Sequence, residues 1–217
     1  MAPELKKWIK SNFPALAPVL GVVSEYAYYI THPVTYVKAV LICKKLGNAA
    51  ERYVAKNNLV IISSFDELIR YADEPFWRRH LINKYTKSMF DNSGTCYIMT
   101  GSGGLMAIVW CVCKDINNII RPFSRNFDFS KFSYIHKLMV SPRFRRQGIG
   151  EQLVNSVVDI LRREGHDNVI ALVRVENNPS LRLFEKIGFK ECGRISTLKL
   201  LNLEFVAHKS VINEIAL

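Results

Sequence analysis

No Cys-x-x-Cys pair, no zinc-finger spacing, no internal repeat and no low-complexity segment occurs in this chain of 217 residues. The first two absences speak against a thiol-redox motif and a structural zinc site. The others exclude a solenoid or a disordered tract. No Gly-x-x-x-x-Gly-Lys-Ser/Thr loop is present, so the nucleoside triphosphate reading fails. The Gly-x-Gly-x-x-Gly spacing after a strand is missing too, which removes the dinucleotide reading. The start, Met1-Ala2-Pro3-Glu4-Leu5-Lys6-Lys7, is polar, and no small-residue cleavage site follows a clean apolar core. A secretory signal is therefore not expected. The longest apolar stretch near the start is broken by Pro18, Glu25 and Pro33 and is too short to span a bilayer.

The composition is that of a folded soluble protein, 49% hydrophobic and 23% charged. The length suits one domain, or one domain with an extension. Five cysteines (Cys43, Cys96, Cys111, Cys113, Cys192) make an odd set. Buried free thiols in a reducing, cytoplasmic setting are the expectation. Cys111 and Cys113 alternate along an expected strand and so share a side. The net charge of +11 fits nucleic acid, an anionic membrane or an acidic ligand. No nucleic-acid motif is visible, so a nucleic-acid partner is not expected.

The segment Leu138–Phe189 is where chemistry concentrates. An apolar strand ends at Leu138-Met139-Val140. Ser141-Pro142-Arg143-Phe144 turns the chain, and Arg145-Arg146-Gln147-Gly148-Ile149-Gly150 runs into an amphipathic helix. The apolar residues of that helix, Leu153, Val154, Val157, Val158, Ile160 and Leu161, recur at three and four. Such a unit gathers orphan N–H groups and the positive end of a helix dipole at one point. Glycines admit a phosphate close to the backbone, and Arg143, Arg145 and Arg146 add positive charge. A pyrophosphate-bearing cofactor suits the place.

Val169–Val175 reads as a strand covered on both faces, which makes strand–helix–strand a right-handed crossover. The next helix is short: Asn178 is its expected N-cap, Pro179 its first residue, and Gly188 follows its end. One or two strands are expected after Phe189. Cys96–Thr100 and Leu105–Cys113 flank Gly101-Ser102-Gly103-Gly104, a hairpin signal. Residues 1–57 differ in character: lysines, then an apolar, tyrosine-rich stretch, then Tyr36–Leu46 with a helical look. Two readings stay open for this helical extension. It packs on the domain or in a dimer interface, or it lies as an aromatic, lysine-flanked segment at a membrane surface.

The run Arg145-x-x-Gly148-x-Gly150 resembles the Gln/Arg-x-x-Gly-x-Gly/Ala hallmark of the GNAT (Gcn5-related N-acetyltransferase) superfamily. A second block, from Asn177 through Ser180, Leu183 and Phe184 to Gly188-Phe189, resembles that family's Asn-x-x-Ala/Ser-x-x-Leu-Tyr/Phe-x-x-x-Gly-Phe. The resemblance is specific over 133–193, loose over 58–132 and absent over 1–57. It implies an α/β (α+β) domain over 58–217: a mixed, mostly antiparallel twisted sheet flanked by helices. The fourth strand, Phe132–Val140, and the fifth would be parallel and splayed, with acetyl-CoA between them.

On that resemblance the backbone of Leu138, Met139 and Val140 would meet the pantetheine arm and thioester. Arg145, Arg146, Gln147, Gly148, Ile149 and Gly150 would hold the pyrophosphate, and Asn177 the pantetheine, with Ser180 and Phe184 completing the site. The implied activity is acetyl transfer to a primary amine by direct attack, on a small-molecule acceptor more than a protein. Many relatives carry a tyrosine acid where this chain has Phe184. Strand alternation puts Tyr134, His136, Leu138 and Val140 on one face. His136 is the first candidate base and Tyr134 the second, against a purely structural role for His136. No metal site is expected. Two other functions remain open: a non-catalytic CoA-binding module, and a membrane- or complex-associated adaptor.

Overall fold

The computed structural model describes residues 34–46, 58–91, 94–114, 116, 132–200 and 203–211. The strands are β1 (Val34–Lys45), β2 (Asn58–Ile62), β3 (Gly94–Gly101), β4 (Gly104–Val112), β5 (Phe132–Val140), β6 (Asn168–Arg174), β7 (Lys190–Leu200) and β8 (Leu203–Val211). The helices are α1 (Phe65–Arg70), α2 (Pro75–Leu81), α3 (Lys84–Asp91), α4 (Ile149–Arg163) and α5 (Asn178–Lys186). By compactness the chain divides into two units. The smaller takes Met1–Lys38 with Ile195–His208, and the larger Ala39–Arg194 with Lys209–Leu217. The first residues of β1, the end of β7 and most of β8 fall in the smaller unit.

The larger unit is a mixed, mostly antiparallel sheet in the order β2-β3-β4-β5-β6-β1. β3 and β4 form the expected hairpin, closing at Gly101↔Gly104. Gly104 has φ +91°, a conformation that costs a glycine nothing. Gly103 is held for space: a Cβ there would meet the Phe144 ring at 2.8 Å. The second glycine-rich stretch is thus a turn, packed against the segment that follows β5.

Each face of the sheet carries helices. On one side α4 lays Leu153, Val154, Val157, Val158 and Leu161 against Val40, Ile42, Val109, Ile135 and Ala171. The helical period read in the sequence is the one observed, and Gly165 (φ +85°) follows the end of α4. On the other side Leu68, Trp77, Leu81 and Met89 from α1–α3 cover Cys96, Ile98, Ile108 and Trp110. Trp77 pins α2 to the sheet, donating from Nε1 to the Leu105 carbonyl at 2.7 Å. α1 begins at Ser64, whose hydroxyl accepts from Glu67 N, while the Glu67 carboxylate accepts from Ser63 N. This is a reciprocal cap.

Three expectations change. Tyr36–Leu46 is not helical: Val34–Lys45 is a strand, antiparallel to β6 from Ala39↔Arg174 to Lys45↔Asn168. Its run of Val37, Ala39, Val40, Leu41 and Ile42 suits a buried strand as well as a helix face, and periodicity cannot separate the two over so short a span. A boundary at residue 57 therefore cuts through the sheet. The rest of the 1–57 reading, residues 1–33 and 47–57, lies outside the described residues. Second, α5 is capped by Asn177, not Asn178: the Asn177 side chain accepts from Ser180 N. Third, β6 is covered on both faces only from Asn168 to Ala171, and Leu172 and Arg174 are exposed. No described helix is long and apolar enough to cross a membrane.

Candidate active site

The site begins with an interrupted pairing. β5 runs parallel to β6 from Phe132↔Asn168 to Ile135↔Ala171 and then leaves it. β5 continues to Val140, still paired with β4 through Ile108↔Met139 and Ala107↔Val140. β6 continues to Arg174, still paired with β1. The two central strands therefore part after Ile135 and Ala171. Along His136–Val140 the β5 backbone has, among the described residues, a strand partner on one edge only. Its second edge, partly exposed, offers N–H and C=O groups to whatever enters the gap.

A bulge sits where the strands part. Trp110 faces His136 and Ile108 faces Met139, so Val109 stands against both Lys137 and Leu138. Lys137 takes φ +51°, the left-handed region for a side-chain-bearing residue. The extra residue reverses the alternation read from sequence. Leu138 and Val140 pack with Ile135 on the α4 side, near Leu183. Tyr134 and His136 stay on the other face, where His136 stands opposite Trp110. The expectation that all four side chains share a face is thus corrected.

After Val140 the chain makes a 3-10 turn, Pro142–Phe144, and enters α4 through Arg145–Gly148. Arg146 (φ +61°) and Lys137 are the two non-glycine residues with positive φ among the described residues. Both lie at this site, where backbone strain commonly collects. Gly148 caps α4 at φ +75°. Gly150 is needed for space: a Cβ there would lie 3.0 Å from Leu183 Cδ1 and 3.3 Å from Val140 Cγ2. The two glycines serve different ends, one the turn and one the close packing of α4 on α5 and β5.

Outside regular helices and strands, no backbone hydrogen bond among the described residues is donated by the amides of Arg145–Gly150. These amides and the dipole of α4 make a cradle for an anion. The arginines are less free than the sequence implies. Arg143 pairs with Glu74 at 2.6 Å, and Arg145 Nε donates to the Val140 carbonyl at 3.3 Å. Gln147 turns back, donating to the Arg143 carbonyl at 3.0 Å.

From the second block, Asn177 Oδ1 accepts from Ser180 N at 3.3 Å, which leaves its amide NH2 free to donate. Phe184 is buried and meets Phe189 edge-on, ring centroids 5.0 Å apart. Glu151 and Lys186 pair at 2.7 Å, tying the start of α4 to the end of α5.

On the opposite face Tyr134 and His136 stack. Burial, and the neighbouring Lys137 charge, push the His136 imidazole down to about 4. It is therefore neutral at pH 7. Burial, with Tyr85 adding, pushes Tyr134 up to about 12, so it remains a phenol. His136 Nε2 and Trp110 Nε1 are buried, with no hydrogen-bond partner among the described residues. Lys137 Nζ donates to Thr86 Oγ1 at 3.0 Å and lies 4.9 Å from the centre of the Tyr85 ring. Lys137, Trp110 and Tyr85 escaped the sequence reading, because a bulge leaves no mark in an apolar–polar pattern. Among the described residues no group of three His, Cys, Asp or Glu could hold a metal.

Comparison with known proteins agrees with this geometry. Residues 61–189 match the family model described as the acetyltransferase (GNAT) family. An uncharacterised N-acetyltransferase of Methanocaldococcus jannaschii is 27% identical over 121 residues, covering 56% of this chain and 49% of that protein. N-alpha-acetyltransferase 30 of Saccharomyces cerevisiae is 38% identical over 62 residues, 29% of this chain and 35% of that protein. The L-methionine sulfoximine/L-methionine sulfone acetyltransferase of Salmonella typhimurium is 31% identical over 65 residues, 30% of this chain and 38% of that protein. The aligned part thus spans about half the length of the first of these relatives and less of the others. Among solved structures, a GNAT-family acetyltransferase from Colwellia psychrerythraea superposes with TM-score 0.52 at 12% identity, covering 84% of this chain and 61% of that one. A conserved protein of unknown function from Staphylococcus epidermidis gives 0.53 at 14%, covering 81% of this chain and 66% of that one. At such identities these likenesses speak for the fold alone.

Proposed function

The chain belongs to the GNAT acetyltransferase family, and from that premise we propose that it is an acyl-CoA-dependent N-acetyltransferase acting on a primary amine. The observation that carries this reading is the gap between β5 and β6, which opens beside the amide cradle at the start of α4. The residues fit an acyl-CoA. Gly148 supplies the turn that forms the cradle, the amides of 145–150, unpaired among the described residues, suit a pyrophosphate, and the open edge of Leu138–Val140 suits an amide-bearing arm.

When bound, acetyl-CoA supplies the reactive thioester. The open N–H groups of Leu138–Val140 would hold the pantetheine arm and polarise the acyl carbonyl, since a fixed dipole aimed at developing charge lowers the barrier. The Asn177 amide NH2 would donate to the pantetheine. Ser180 and Phe184 serve from behind, Ser180 by fixing the Asn177 side chain and Phe184 by packing α5 on Phe189.

On the acceptor side His136, already neutral, would take the proton that the amine loses on attack. Its low basicity limits the driving force, so it contributes less than an imidazole poised near pH 7. Tyr134, a phenol stacked on it, would position the ring. Two of the relatives are an L-methionine sulfoximine/L-methionine sulfone acetyltransferase and an N-alpha-acetyltransferase. We therefore favour an acceptor with an α-amino group, a small molecule before a protein.

The test is release of free CoA thiol from acetyl-CoA on a panel of amines, amino acids and peptide N-termini. Acceptor-dependent thiol release is the expected result. Tight acetyl-CoA binding with no turnover on any amine would make the chain a CoA-binding module instead.

A further inference from the structure

Cys111 and Cys113 are not used by the acetyl-transfer reading. They face the same side, as the sequence predicts, with their sulfurs 3.8 Å apart. Cys111 is buried on β4, opposite Ile135. Cys113 lies just past the end of β4 and is partly exposed. The Ser133 hydroxyl, itself fully buried, is 3.6 Å from Cys113 Sγ. One sulfur is thus reachable from solvent and supported by a hydroxyl, and the second waits in contact behind it.

We infer that Cys111 and Cys113 form an oxidisable dithiol, a site that hydrogen peroxide converts to a Cys111–Cys113 disulfide. Thiolate character is favoured at Cys113. The Cys111 thiol and the Ser133 hydroxyl, with charge on His166 adding, bring Cys113 down to about 6, against the opposing effects of burial and Glu164. The same contact and burial push Cys111 well up, so it remains the thiol. Susceptibility to oxidation follows thiolate character, exposure and a neighbouring resolving thiol.

The chemistry closes. The Cys113 thiolate attacks one peroxide oxygen, the O–O bond breaks, and Cys113 sulfenic acid and hydroxide result. That hydroxide takes the Cys111 proton, giving water. The Cys111 sulfur then attacks the sulfenic sulfur, the S–S bond forms, and the S–O bond breaks with loss of hydroxide. Peroxide is reduced and the two sulfurs are oxidised. Two residues apart along a strand, the Cα atoms are about 6.5 Å apart. A disulfide tolerates up to about 6.8 Å. The Cβ atoms must also close to about 4 Å, so the bond forms only with movement of the backbone at Cys113 and should be readily reduced. The position of Cys113 beyond the strand end gives the backbone room to adjust.

The test treats the full chain with hydrogen peroxide, blocks remaining thiols and maps cysteines by peptide mass. The expected product is a peptide holding both residues, lighter by two hydrogens and restored by dithiothreitol. In Cys111→Ser, dimedone should trap a sulfenic acid on Cys113. In Cys113→Ser, Cys111 should stay reduced. Both variants are checked by circular dichroism, while the wild-type map needs no variant. A disulfide between Cys43 and Cys192 in its place, or both residues recovered as free thiols, overturns the proposal.

Discussion

The rings of Tyr134 and His136 lie almost parallel, 6° apart in plane, with centroids separated by 5.1 Å. At the very next residue, Lys137, a bulge turns the strand over. Tyr134 is thus still within the paired part of β5 and β6, and His136 is the first residue past it.

If His136 is the base, His136→Ala lowers turnover by about a hundredfold with little change in acetyl-CoA affinity. Its titration should appear in the rate–pH profile near pH 4, not near 6.5. In the variant that limb disappears and only the acceptor's own titration remains. Near-full turnover in His136→Ala would make the residue structural and Tyr134 the next to test.

The same shift has a consequence for stability. The folded protein binds the His136 proton only near pH 4, whereas the unfolded chain binds it near 6.5. Stability from this group is present above pH 6.5 and is lost as pH falls towards 4. Urea denaturation at pH 7 and pH 4.5 should show the wild type losing on the order of 2 kcal/mol more than His136→Gln. Equal losses would mean that the imidazole is not desolvated.

Gly150→Ala places a methyl group 3.0 Å from Leu183 and 3.3 Å from Val140. Since these side chains link α4, α5 and β5, the variant should lose about 1–3 kcal/mol of stability. Acetyl-CoA affinity should fall with it, because the start of α4 must shift. Thermal denaturation and calorimetry read the two effects. Unchanged values for both would show that the contact yields freely.

Phe184→Leu should cost about 1 kcal/mol through lost packing on Phe189 and leave turnover nearly intact. Phe184→Tyr tests whether this position reaches the departing thiolate: a phenol that does so would raise turnover. A Leu variant of full stability and no activity would show a direct role for the ring.

Much of the fold is legible in the sequence where one pattern admits one structure. The α4 period, the β3–β4 hairpin and the glycine-rich entry to α4 are of that kind. β1 is not, because an apolar run such as Val40-Leu41-Ile42 suits a buried strand and a helix alike, and its partner β6 lies far along the chain. The bulge is hidden for a different reason. It follows from how β5 registers with β4, and no local feature of Ile135-His136-Lys137-Leu138 specifies that register. The cradle was legible as chemistry, but the diversion of Arg143 to Glu74 was not, since that partner comes from the start of α2.

If the cradle at the start of α4 holds acetyl-CoA, calorimetric titration of acetyl-CoA into wild type and Gly148→Asp will separate the two proteins. Aspartate tolerates the left-handed backbone of residue 148 better than most residues, so the fold should persist. Its carboxylate would stand where the pyrophosphate belongs, opposing it by charge and bulk. The wild type should give a clear binding isotherm and the variant none, with the circular dichroism spectrum unchanged. Equal affinity in a folded Gly148→Asp would contradict binding at the cradle.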